Sequence, residues 1–137
     1  CHAGVLLTDH SFRNNGLVPM RINDRGHSEI TGDKADRYKF KVPSLRNVGV
    51  TLPYMHDGRY HSLEEVLSHY SDSVRLFMKS GSEAVETLDP LLANPEKPGI
   101  PLTKSEQQAI IAFLHTLTDE IFLKDPKLAD PGIGNAL

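Results

Sequence analysis

The chain has 137 residues, 39% of them apolar and 24% charged, which suits one globular domain and excludes a disordered polymer. The formal net charge of −3 comes with no basic stripe, so nucleic acid is not an expected partner. No apolar run reaches the roughly 18–20 residues a membrane-spanning helix needs.

Aromatic content is only 7%, Trp is absent, and 9 Pro and 10 Gly punctuate the chain. Such a composition predicts many turns, long connections and a thin protein core, to which a prosthetic group could add apolar volume. The chain opens on Cys1-His2 without an initiator Met. Three readings fit that opening: the tail of a Cys-x-x-Cys-His haem-attachment motif, a lipoprotein cleaved before its lipidated Cys, or an arbitrary boundary. A single Cys rules out an internal disulfide and a Cys-rich zinc site.

Val5-Leu6-Leu7 is a short apolar run, and Asn14-Asn15-Gly16 is a turn signal. Residues 21–38 are polar and read as a surface loop, with His10 and His27 as solvated loop histidines. Pro43 opens a predicted helical turn over 44–48, and 48–52 should run extended into Pro53, because the residue before a proline avoids the helical region. Asp57-Gly58 marks a turn.

Ser62 with Glu65 forms the sequence signature of a capping box, and Glu64 adds negative charge at the positive end of the helix. Leu63, Val66, Leu67, Tyr70, Val74 and Phe77 recur at helical period and predict one inward stripe carrying Tyr70. His69 lies about 100° around the helix from Tyr70 and should be the more exposed of the two. Residues 79–102 are rich in loops. Thr103 and Glu106 repeat the capping box before a helix whose apolar stripe is Ile110, Phe113, Leu114 and Leu117, with Ile111 beside it. A short turn at 120–123 precedes a tail, 119–137, expected to wander over the surface or reach a partner domain. There are no internal repeats, no strand ladder, no βαβ alternation and no Gly-rich phosphate loop. The expected fold is therefore all-α with long irregular loops.

Cys-His at the start, a Pro-rich wall and an inward helix residue with a donor atom together suit an iron porphyrin with a proximal His and a second axial ligand from a distant loop or helix. Met55, His56, His69, Tyr70 and Met78 are the available second ligands, and the helical stripe favours Tyr70. A Ser-His-Asp hydrolase lacks a visible nucleophile elbow. A zinc site from His56, His61 and His69 matches no compact helical ligand spacing.

The segments Phe40-Lys41-Val42-Pro43-Ser44-Leu45-Arg46-Asn47-Val48, Thr51-Leu52-Pro53-Tyr54-Met55-His56-Asp57-Gly58 and Leu63-Glu64-Glu65-Val66 resemble the C-terminal haem domain of the bacterial di-haem cytochrome c peroxidase and MauG superfamily. Cys1-His2-Ala3-Gly4, the run from Thr8 to Leu17 and the stretch from Leu102 to Asp119 extend the resemblance over nearly the whole chain in order. It implies a single cytochrome c-like domain over 1–137, with haem c and calcium as cofactors. Cys1 would form a thioether, and His2 would be the proximal iron ligand. Tyr70 would be the distal ligand, as in the MauG branch, where the peroxidases carry Met. Thr51 and the Pro53 carbonyl would help hold calcium. His56 would line the haem pocket, and Arg46 would meet a propionate or the neighbouring domain.

The first Cys of the attachment motif and the N-terminal haem domain are missing from the sequence. The resemblance thus implies one part of a periplasmic di-haem peroxidase or MauG-like oxidase. This part would pass electrons or oxidising equivalents to the peroxide-reacting haem of the missing domain, and would serve an electron donor or a protein substrate. A haem-free binding or scaffold domain on the same fold is the alternative.

Overall fold

The computed structural model describes residues 1–17 and 24–129. Helices dominate it, but the expected absence of strands does not hold. Phe12–Arg13 (β1) and Phe40–Lys41 (β2) pair antiparallel, with Phe12 opposite Lys41 and Arg13 opposite Phe40. Two residues a side are too few to leave an alternating signature in the sequence.

This short ladder belongs to a longer seam joining the first seventeen residues to segment 40–46. The buried Thr8 hydroxyl donates to the Val42 carbonyl at 2.7 Å, and Val42 N–H donates to the Ser11 carbonyl at 2.9 Å. Ser44 Oγ donates to the Leu6 carbonyl at 2.7 Å. Arg13 fixes the seam to the loop beyond it, donating to Asp9 at 2.8 Å and to the buried Asp89 at 2.7 Å.

The polar stretch before β2 holds a helical turn, Ser28–Thr31 (α1), and a 3-10 turn, Lys34–Asp36, so its described part is more regular than the expected loop. The helical turn expected at 44–48 forms later, as a 3-10 turn over Val48–Val50 that replaces the predicted extended run.

Leu63–Ser68 (α2) starts on the predicted capping box, the Ser62 side chain accepting from Glu65 N–H and Glu65 accepting from Ser62 N–H. The helix then widens into a π turn, His69–Ser73, and resumes as Val74–Met78 (α3). At the π turn Val74 N–H donates to the His69 carbonyl, five residues back. The Tyr70 carbonyl is thereby freed and accepts Ile100 N–H at 2.8 Å. The extra residue turns the second half by about 100° against α-helical counting. The predicted stripe is therefore two faces. Leu63 and Leu67 are buried on α2, which packs against Lys104–His115 (α4), while Val74 and Phe77 join Tyr38, Ala84, Leu88 and Leu92 in the main cluster.

Helix α4 begins on the predicted Thr103–Glu106 capping box. Of its expected stripe only Leu114 is fully buried, and Phe113 is 54% exposed. A last short helix, Glu120–Lys124 (α5), and a 3-10 turn, Pro126–Leu128, occupy the described part of the tail, whose remainder lies outside the described residues. No helix among the described residues is long and apolar enough to cross a membrane.

Candidate haem site

Cys1 and His2 are both exposed at the edge of the seam. The Cys1 carbonyl accepts Asp9 N–H at 2.7 Å, which folds the segment back on itself. His2 Nδ1 lies 3.2 Å from the Pro43 carbonyl and 3.3 Å from the Leu7 carbonyl. Carbonyls only accept, so Nδ1 carries the proton and the lone pair of the neutral ring sits on Nε2, the arrangement of a metal-ligating imidazole oriented by a backbone carbonyl. Val5 and Leu6 of the same segment are 85% and 49% exposed, so its apolar surface is uncovered. The donor set and this bare apolar surface fit a covalently attached haem.

Arg46 is exposed and donates to the Val5 carbonyl at 3.2 Å, so part of its guanidinium braces the Cys1–Leu7 segment. His56 is exposed and stacks flat on Phe40, ring centroids 3.6 Å apart and planes within 8°. Partial desolvation holds its imidazole below the ordinary histidine range. Thr51 and Pro53 are exposed on the turn after Val48–Val50.

The order of exposure expected for His69 and Tyr70 is reversed. His69 is 2% exposed and Tyr70 is half-buried against the main cluster. The π turn is the cause, since it breaks the α-helical phase from which the exposure of His69 was counted. Burial pushes the Tyr70 phenol up, against a contact from the Asn15 side chain that lowers it. Burial likewise pushes the His69 imidazole down. His69 Nε2 lies 2.9 Å from the Asn15 carbonyl and Nδ1 lies 3.4 Å from the Tyr60 hydroxyl, so both ring nitrogens are engaged.

The other axial candidates are occupied differently. Met55 Sδ accepts from Asn15 Nδ2 at 3.4 Å, and Met78 packs half-buried on the main cluster. The alternative zinc site of His56, His61 and His69 does not form. Among the described residues no three His, Cys, Asp or Glu side chains come together as a metal site.

Sequence reasoning missed the two asparagines of the turn signal. Asn14 is 1% exposed, and its Nδ2 donates to the Ala84 carbonyl at 2.7 Å and to Thr87 Oγ1 at 3.0 Å. Asn15 meets His69 through its carbonyl and Met55 through its side chain. Their partners lie far along the chain, so turn chemistry alone could not reveal them.

No family model matches the chain. It is similar to methylamine utilization protein MauG of Methylorubrum extorquens, 38% identical over 120 residues that make up 88% of this chain and 30% of that protein. It is also similar to cytochrome c551 peroxidase of Nitrosomonas europaea, 34% identical over 123 residues, again 88% of this chain and 30% of the relative. The chain thus spans about a third of the curated relatives it matches. Its fold is similar to the crystal structure of a MauG-like protein associated with microbial copper homeostasis, with a TM-score of 0.73 and 35% identity over 96% of this chain and 45% of that one. The sequence likeness and the shared fold agree: the chain belongs to the bacterial cytochrome c peroxidase and MauG superfamily, and corresponds to the C-terminal part of its relatives.

Proposed function

We propose that this domain carries a c-type haem ligated by His2 and Tyr70, and serves a MauG-like or peroxidase reaction completed by a second, N-terminal haem domain. The observation that carries the reading is the His2 ring. Its Nδ1 is tied to the Pro43 carbonyl at 3.2 Å, which leaves Nε2 for a metal, on a segment whose Cys1, Val5 and Leu6 are all exposed.

In this reading Cys1 anchors the porphyrin through a thioether, and the Pro43 carbonyl fixes the direction of the imidazole. Tyr70 offers a hard oxygen donor from a half-buried helix position. Phenolate oxygen stabilises the ferric state more than a thioether does, so a Tyr here suits storage of an oxidising equivalent and a Met would suit electron entry. Haem bound there supplies one-electron redox chemistry. His56, fixed by Phe40, lines the pocket wall, and Arg46 steadies the proximal segment through the Val5 carbonyl. Thr51 and the Pro53 carbonyl supply oxygen to a calcium ion whose remaining protein ligand comes from the neighbouring domain. The electron donor or protein substrate docks on the assembled protein, in the periplasm.

The test is spectroscopic. The full-length protein, matured with haem c, should give a pyridine haemochrome, a haem adduct on Cys1 by mass spectrometry, and ferric tyrosinate vibrations by resonance Raman. Tyr70→Phe should abolish those vibrations with haem content unchanged. Vibrations that persist in Tyr70→Phe would remove Tyr70 from the iron, and an unmodified Cys1 would favour a haem-free scaffold.

A further inference from the structure

We propose that Thr8 and Ser44 are positioning residues for His2, their hydroxyls locking the Leu7 and Pro43 carbonyls in place against its ring N–H. The inference rests on the reading of His2 as an iron ligand and adds the groups that aim it.

The two carbonyls that meet His2 Nδ1, Leu7 at 3.3 Å and Pro43 at 3.2 Å, belong to two segments joined by a matched pair of hydroxyl bonds. One residue after Leu7, the Thr8 hydroxyl donates to the Val42 carbonyl at 2.7 Å. One residue after Pro43, the Ser44 hydroxyl donates to the Leu6 carbonyl at 2.7 Å. Each cross-link therefore joins the residue after one carbonyl to the residue before the other. Each hydroxyl also accepts an N–H two residues on, Thr8 from His10 at 3.0 Å and Ser44 from Arg46 at 3.2 Å. Donor and acceptor are both used, so neither hydroxyl is free to turn. Proline has no N–H, so Pro43 cannot close a ladder bond to the Leu7 carbonyl. The imidazole N–H takes the place of that missing donor.

Two features point to a role beyond packing. First, Thr8 is 7% exposed, and a valine would fill the same space with no hydroxyl to satisfy. Second, Leu7 has φ of +52°, in the left-handed region that a residue with a β-carbon adopts only at a cost. Such a backbone persists where its surroundings fix it. The two neighbours of Leu7, Leu6 and Thr8, are the ends of the two cross-links. The consequence falls on the far side of the ring. A carbonyl that accepts from Nδ1 fixes the ring and makes Nε2 a more basic donor. A more basic donor favours ferric over ferrous iron and lowers the midpoint potential, so loosening the carbonyls raises it.

The experiment is a potentiometric titration of both haems in the full-length, haem-loaded protein and in Thr8→Val, Thr8→Ser and Ser44→Ala. Haem content and the Cys1 adduct are measured in parallel. We expect Thr8→Val and Ser44→Ala each to raise one midpoint potential and leave the other in place, at unchanged haem content. Thr8→Ser keeps the hydroxyl and drops the methyl, and should return the potential towards its unaltered value. If Thr8→Val does not accumulate folded, Ser44→Ala carries the test, because Ser44 is exposed and its truncation leaves no cavity. Unaltered or lowered midpoints in a haem-replete Thr8→Val or Ser44→Ala protein would overturn the inference while leaving haem on Cys1. A rise that Thr8→Ser does not reverse would trace the effect to lost packing and overturn it as well. A Cys1 without haem in the unaltered protein would overturn the ligand reading, and this inference with it.

Discussion

At Gly99 the chain passes so close to Tyr70 that an added β-carbon would strike the Tyr70 carbonyl oxygen, and the backbone there has φ of +78°. Both facts exclude a side chain. Gly99→Ala should cost about 2–3 kcal/mol in urea unfolding of the haem-loaded protein, combining left-handed strain with a clash against backbone that cannot swing away. Gly81 is the control. It has φ of +69° but nothing within 4 Å, so Gly81→Ala should cost only about 1 kcal/mol from strain alone. Equal losses at both sites would show that the close approach to Tyr70 carries no energy. At this scale the sequence is legible where a residue acts on its near neighbours, as with Ser62 and Glu65. It is opaque where a residue acts at long range. Asn15 and Gly99 read as ordinary turn residues until the helix they touch is in place.

Among the elements, the two capping boxes and the starts of α2 and α4 follow from sequence because their partners lie three residues apart. The π turn does not, because the Tyr70 carbonyl it frees finds its partner in Ile100 N–H, 30 residues away. Counting at 3.6 residues per turn therefore fused two faces into one and placed His69 outside. Deleting Asp72, an exposed residue of the π turn, makes His69 the fourth residue before Val74 and turns the same hydrogen bond into an α-helical one. The phase between α2 and α3 is kept, so circular dichroism should report a folded helical protein. The Tyr70 carbonyl would then be claimed by Arg75 N–H and lost to Ile100, and the tyrosinate vibrations should shift or vanish. An unfolded deletion variant would mean that the wide turn supports the core as well as the site.

For the whole molecule, the Asp9–Arg13–Asp89 network ties the proximal segment to the loop that closes the main cluster. The Asp9 carboxyl lies well below the usual carboxylate range, first because the Ser11 side chain and N–H donate to it and then because of Arg13. A carboxyl depressed in the folded state stabilises the fold above its unfolded value of about 3.9, and that stability is lost as pH falls through the folded value. Stability should therefore be level in Asp9 from neutral pH to about pH 5 and fall below about pH 4. Asp9→Asn should flatten that acid limb in urea titrations. An identical limb in the variant would assign the acid loss to other carboxyls.

The seam also orders events in time. A thioether at Cys1 requires only local chain, whereas the carbonyl that aims His2 sits 41 residues downstream. Closing so long a loop waits on the pairing of 8–13 with 40–42 and is slow compared with local contacts. If Cys1 carries the thioether of the proposed function, that bond needs only local chain, whereas the full orientation of the His2 imidazole also needs the seam to close.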